Sequence, residues 1–336
     1  MPRKTFKLQT TSEELISQIN LENRKFIDKF LREKNTRSSD STIEGYESDL
    51  NIFFVWNLQF NKNKLFTEIR KIEFSEFFSY AVETLRWGSS RFSRVKSALS
   101  SLSNFIEKFY DDVYPSFRNV ILRAVESMPK NLVREKTILS DEQIENLFNY
   151  FKDKDKQLCC WLALAIASGS RFSELLRFTV DNISENNTAF EGLFLETLKP
   201  IKSKGRTKTG KMLIKYILKD FFLPYYNSWL EERQEIINKN NKVHNFIFIK
   251  DNGDPAKEST ARGWVTKIEE QLNGIPFYPH CARHYYTTML SKFKIPSELI
   301  KELVGWESVD MVVVYNDSTA KDKQWDELNN LKDIIK

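Results

Sequence analysis

Along the chain, Ile43, Tyr46, Leu50, Phe53 and Phe54 fall at helical spacing, and Ser41 with Glu44 just ahead has the offset of a capping box. A helix is predicted there. A second is predicted from about Phe92 to Phe109, where Phe92, Val95, Leu99, Leu102, Ile106 and Phe109 form one apolar stripe. Ser140 and Gln143 repeat the capping-box offset ahead of Ile144, Leu147, Phe148 and Phe151, which opens a further helix. Short apolar runs at 193–198, 212–218 and 246–249 read as strands of a small sheet, and helical text returns from about Cys281. Met128 to Ile138 joins a proline to basic residues without helical period. A linker is placed there, dividing the chain into residues 1–130, a linker at 131–138 and residues 139–336.

Composition narrows the class. Of 336 residues, 41% are hydrophobic and 26 are Phe, which excludes a disordered chain; only 10 Gly and 9 Pro argue against a turn-rich sandwich. The expectation is a mainly α protein with a small β-sheet. The longest apolar run, Leu158 to Ala167, is about half of what a bilayer crossing needs. No apolar stretch follows the basic N-terminus, so no secretory signal, no membrane partner and a cytoplasmic location are expected. Cys159, Cys160 and Cys281 have neither disulfide-framework nor zinc-ligand spacing, and the three histidines, with His244 remote, form no ligand cluster. No metal and no cofactor are expected.

Net charge is +5, all of it in residues 1–136, which hold 23 Lys+Arg against 18 Asp+Glu. The neutral remainder nevertheless contains an island from Lys199 to Lys215 with seven basic residues and no acid, suited either to a solvated loop or to a phosphate backbone. Arg91, Arg94 and Lys96 stand among serines beside the second helix's stripe, a face that offers charge and hydroxyl donors to DNA. Lys202, Lys204 and Arg206 in the island are candidates for the same role.

Three further stretches carry candidate chemistry. In ASGSRFSELLRF, residues 167–178, Arg171 enters a helix start where backbone amides already favour an anion, and Glu174 lies one turn on. In PHCARHYYTTML, residues 279–290, His280 and Arg283 share one helical face, with His284 adjacent. In VGWESVDMVVVYN, residues 304–316, Tyr315 follows Trp306 by nine positions. Each is weak alone: a surface arginine, a chance His-x-x-Arg and a helix-face aromatic fit equally well.

Taken in order over nearly the whole chain, these stretches closely resemble the tyrosine recombinase (phage integrase) family. The family's first box, Thr-Gly-hydrophobic-Arg-x-Ser-Glu-Leu, is matched by ASGSRFSELL, and its second, His-x-hydrophobic-Arg-His, by HCARH. Its Leu-Gly-His appears as Val304, Gly305 and Trp306; the tryptophan departs from the majority pattern, and it can donate one hydrogen bond but cannot shuttle a proton. Thr42, Tyr46, Leu50 and Phe53 look like the family's core-binding domain.

The resemblance implies a helical, SAM-like core-binding domain at 1–130 and an α+β catalytic domain with a C-terminal helix at 139–336, forming a clamp around DNA, with no separate arm-binding module ahead of them. It implies a site-specific recombinase or integrase in which Tyr315 is the nucleophile, joined to DNA through a 3′-phosphotyrosine. Arg171 and Arg283 clamp the phosphate, Trp306 donates to it, His280 takes the tyrosine proton and a hairpin lysine protonates the leaving 5′ oxygen. That lysine is Lys208, in TKTGKMLI, or alternatively Lys204; Glu174 and His284 support the site. The partner implied is double-stranded DNA with paired half-sites, bound by a homotetramer. Its contacts are made through a C-terminal helix in which Trp325, Leu328, Leu331 and Ile335 keep helical spacing. A catalytically silent DNA-binding regulator, and an enzyme akin to type IB topoisomerases or telomere resolvases, remain the alternatives.

Overall fold

A computed structural model describes residues 11–129, 137–203, 205 and 210–315, and for 313–315 the backbone alone. Among the described residues the chain divides into two compact units, one of residues 11–129 and the other of 137–203 and 211–315. Both are mainly helical.

The first unit holds α1 (Glu13–Ser17), α2 (Leu21–Asn35), α3 (Asp40–Phe60), α4 (Lys71–Glu83), α5 (Ser89–Phe109) and α6 (Ile121–Ala124). Its core is aromatic: the buried Phe53 ring lies parallel to Phe74 at 5.5 Å and edge-on to Phe77 at 4.9 Å. Such offset and edge-on pairs add to the stabilisation from burial alone. Asn23 and Asn57 both donate to the Lys64 carbonyl at 2.8 Å, and the Phe66 amide donates to Asn23, so the loop between α3 and α4 satisfies its polar groups on buried amides. The N-cap of α3 is Ser39, not Ser41. In α5 the predicted stripe is buried except at its end, where Phe109 is half exposed.

The second unit is built around α8 (Lys156–Ser168), every residue of which from Leu158 onward is buried. Its ten-residue apolar run is therefore a core helix. It is flanked by α7 (Asp141–Phe151), which has the Ser140–Gln143 capping box in full, and by α9 (Phe172–Leu175). Then come β1 (Thr188–Ala189), β2 (Phe194–Glu196), β3 (Ile201–Ser203), β4 (Lys211–Leu213) and β5 (Tyr216–Leu218). They form two antiparallel sheets, β1-β2-β5 and β3-β4. The strand expected at 246–249 is corrected: Phe246 and Ile249 make only isolated bridges, to Thr179 and Pro255, because this buried run closes loops over the core and joins neither sheet. The helices α10 (Lys219–Lys239), α11 (Glu258–Gln271), α12 (Pro279–Lys292), α13 (Ser297–Val304) and α14 (Asp310–Tyr315) complete the unit, with α14 packed on α12 and α13. Among the described residues, no helix is long and apolar enough to cross a membrane.

Candidate active site

The helix α8 ends at Gly169, whose left-handed φ of +55° turns the chain sharply. This aims the Gly169 carbonyl at Arg283, which donates to it from Nη1 at 2.7 Å. The turn also delivers Arg171 as the N-cap of α9. A Cβ on Gly169 would meet Tyr286 Cδ1 at 2.5 Å, so the turn tolerates no side chain. Gly169→Ala combines a left-handed non-glycine with an overpacked contact, and should cost about 2 kcal/mol or more. Thermal melting checks this; an unchanged midpoint would contradict the tight turn.

Arg171 is held by Glu174. Its backbone N–H donates to Oε2 at 3.1 Å and its Nη1 donates to Oε1 at 2.8 Å and to Ser203 Oγ at 3.0 Å. The side chain stays 27% exposed, so it is anchored at one edge and accessible at another. Glu174 is fully buried and also accepts from Ser203 Oγ at 2.5 Å and from Lys215 Nζ at 2.6 Å. Burial alone would push its pKa up; the Lys215 charge and the hydrogen bonds from Lys215, Ser203 and Arg171 outweigh this and hold it at about 2.

Arg283 and His280 lie near the start of α12, which opens with Pro279 in the first turn. Arg283 is 1% exposed, and its guanidinium carbon sits 4.9 Å from the centroid of the Trp306 ring, within cation–π range. Trp306 is placed by Gly305, which ends α13 at a left-handed φ of +74°, and the Trp306 amide donates to the Lys301 carbonyl. His280 remains accessible to solvent as a residue, yet crowding of its ring lowers its pKa. The charges of Arg283, His284 and Arg171 act in the same direction. His284 is buried beside Arg283. Thus Arg171, His280, Arg283 and Trp306, from three remote stretches, share one electrostatic neighbourhood.

Tyr315 ends α14, and its side chain lies outside the described residues. Lys204, Arg206 and Lys208, most of the linker at 131–138, and the tail from Trp325 to Ile335 also lie outside them. The island is nonetheless a hairpin at its base: β3 pairs with β4, with Lys202 exposed opposite Met212.

On α5, the expectation for Lys96 is corrected: it is buried, and its Nζ donates to the Val125 carbonyl at 2.5 Å. Arg94 makes two 2.7 Å hydrogen bonds to the buried Asp49, and Arg91 lies over the Trp87 ring at 5.0 Å. Both remain on the exposed side of the helix. Among the described residues, no group of three or more His, Cys, Asp or Glu is placed to hold a metal ion.

Sequence reasoning missed Lys215. Leu213, Lys215 and Ile217 alternate toward one face, so the lysine occupies an inward position of an apolar strand pattern. Counting the island's charges conceals that signal.

Residues 137–322 match the model of the phage integrase family. The tyrosine recombinase XerC of Listeria monocytogenes serovar 1/2a is 23% identical over 311 residues, covering 88% of this chain and 92% of that protein. The fold is similar to that of XerH site-specific recombinase bound to a palindromic difH substrate, with a TM-score of 0.68, 16% identity and coverage of 91% and 94%. It is also similar to that of the Tn1549 transposon integrase in complex with transposon right end DNA, with a TM-score of 0.67, 15% identity and coverage of 92% and 99%.

Proposed function

The chain belongs to the phage integrase family, the tyrosine recombinases that cleave and rejoin DNA at specific sites, and from that premise we propose how its own residues perform the reaction. Tyr315 Oη attacks a scissile DNA phosphorus, the bond from phosphorus to the 5′ oxygen breaks, and the 3′ phosphate remains on the tyrosine. His280 takes the phenolic proton, and Lys208, or alternatively Lys204, gives one to the departing 5′ oxygen. A 5′ hydroxyl from a partner strand then attacks the phosphotyrosine and releases Tyr315. Phosphodiester energy is retained throughout, so the steps balance without a nucleotide.

Charge gathers on the nonbridging oxygens as the phosphorus becomes five-coordinate. Arg171 and Arg283 answer it with fork geometry, and Trp306 adds a ring N–H donor. The observation that carries this reading is the convergence of Arg171 and Arg283 on the two sides of the Gly169 turn, with Trp306 against Arg283. Double-stranded DNA is the substrate, with Arg91, Arg94 and Lys202 as backbone contacts on their exposed faces. The test is incubation with nicked suicide duplexes, selected from a randomised pool for attachment to the wild-type protein. A covalent adduct should appear on a denaturing gel and be missing with Tyr315→Phe. Binding without any adduct would sink the proposal.

A proton acceptor must be neutral. Because burial and neighbouring cations lower the His280 pKa, the imidazole is neutral above an acid-side midpoint that lies below the ordinary value of about 6.5. Cleavage kcat/KM, which reports the free enzyme, should therefore hold at neutral pH and fall as pH drops through that midpoint. His280→Asn should remove this limb; a limb that survives the substitution would assign it to another group.

Exchange of both strands of two duplexes needs four nucleophiles, hence a homotetramer on paired half-sites, with the segment from Trp325 docking on a neighbouring protomer. Deleting residues from Trp325 onward should weaken recombination by about tenfold or more while DNA binding stays within about threefold, consistent with avidity lost between modules. Equal loss of both activities would count against the docking role.

A further inference from the structure

Lys215 lies between β4 and β5, 1% exposed at its side chain, with its backbone fixed on both sides by Thr197: its N–H donates to Thr197 Oγ1 at 3.0 Å and its carbonyl accepts from the Thr197 N–H at 3.0 Å. An ammonium taken out of water is costly unless it is paired and hydrogen-bonded. Here the partner is Glu174, at 2.6 Å from Nζ to Oε2, while Oε1 of the same carboxylate holds Arg171 Nη1. Ser203, at the end of β3, closes the arrangement by donating to Oε1. The charged groups facing this lysine come from two other elements: Glu174 and Arg171 at α9, and Arg283 on α12.

We propose that Lys215 is a positioning residue for DNA cleavage: it locks the Glu174 carboxylate in one orientation, and through it presents Arg171 to the scissile phosphate. A carboxylate shared by two cations cannot swing to neutralise Arg171 alone. The inference rests on the assignment of Arg171 to the phosphate.

The test compares single-turnover cleavage of the selected suicide duplex by wild type, Lys215→Met and Lys215→Arg, alongside duplex affinity and thermal midpoint. Misplacing a clamp group by an ångström is worth about 10²-fold, so Lys215→Met should cleave about 10–100-fold more slowly with affinity within about threefold. Lys215→Arg, which keeps the cation, should recover part of the rate. In a Glu174→Gln background, the same change at Lys215 should cost less than about threefold, because the relay is already broken. A wild-type rate in Lys215→Met, affinity falling in step with rate, or an undiminished cost in the Glu174→Gln background would each overturn the proposal. Should Lys215→Met fail to fold, the pair Glu174→Gln/Lys215→Met removes both charges of the buried pair and should show the same slow cleavage; a wild-type rate in it overturns the proposal. A wild-type chain that forms no adduct would overturn both this inference and the reading it rests on, whereas an adduct formed equally fast by Lys215→Met defeats this inference alone.

Discussion

Replacing Arg283 with lysine should slow DNA cleavage by about 10²–10³-fold while duplex affinity stays within about tenfold. Arg283 spends Nη1 on the Gly169 carbonyl and lies against the Trp306 ring, so the guanidinium is fixed before DNA arrives. A lysine keeps the charge but is a point cation on a flexible stem. It cannot hold Gly169 and face a phosphate oxygen with the same planar fork. Because the lost interaction matters most when charge builds on the phosphorus, the deficit should appear in the single-turnover rate, not in binding. Quench-flow cleavage of the selected suicide duplex measures it. A lysine variant within threefold of wild type would remove Arg283 from the phosphate clamp.

Glu174→Leu should destabilise the second unit by about 3–5 kcal/mol, lowering Tm by roughly 6–20 °C, because it strands Lys215 as a buried, unpaired cation. Against the upward push of burial, the Lys215 charge and the hydrogen bonds from Lys215, Ser203 and Arg171 hold the carboxyl pKa at about 2, while burial lowers that of Lys215. The sign follows from a depressed carboxylate: the contribution is fully present above pH 4.5 and is lost as pH drops toward 2. Adding Lys215→Met to Glu174→Leu removes the stranded charge and should restore much of the loss. Denaturant unfolding of the single and double variants checks this; equal stability of the two would mean that Lys215 is not paired as described.

Much of this organisation was legible where a local spacing carries the physics. The turn before Arg171 could be read because a Gly-Ser break separates a buried helix from the start of the next. His280 and Arg283 could be read because three residues is one helical turn. Capping was readable at Ser140, where one candidate precedes the stripe, and misread at Ser41, where Ser39 also competes and takes the N-cap. Lys96 misled for a different reason. It follows Phe92 by four and adjoins Val95, so its position borders the apolar stripe; the long aliphatic stem packs inward and the charged tip reaches a backbone carbonyl. The run at 246–249 shows that a short buried stretch does not declare whether it pairs in a sheet. Lys215 was hidden by non-local chemistry, since its partner Glu174 is 41 residues away and no spacing rule links them.

The atom that becomes joined to DNA defines the reaction. Trapping the wild-type protein on the selected suicide duplex, digesting both, and sequencing the nucleotide-bearing peptide by mass spectrometry identifies that atom directly. A 3′-phosphonucleotide on Tyr315 is the predicted result. Attachment to Tyr278, Tyr285, Tyr286 or any side chain other than Tyr315 would contradict the account.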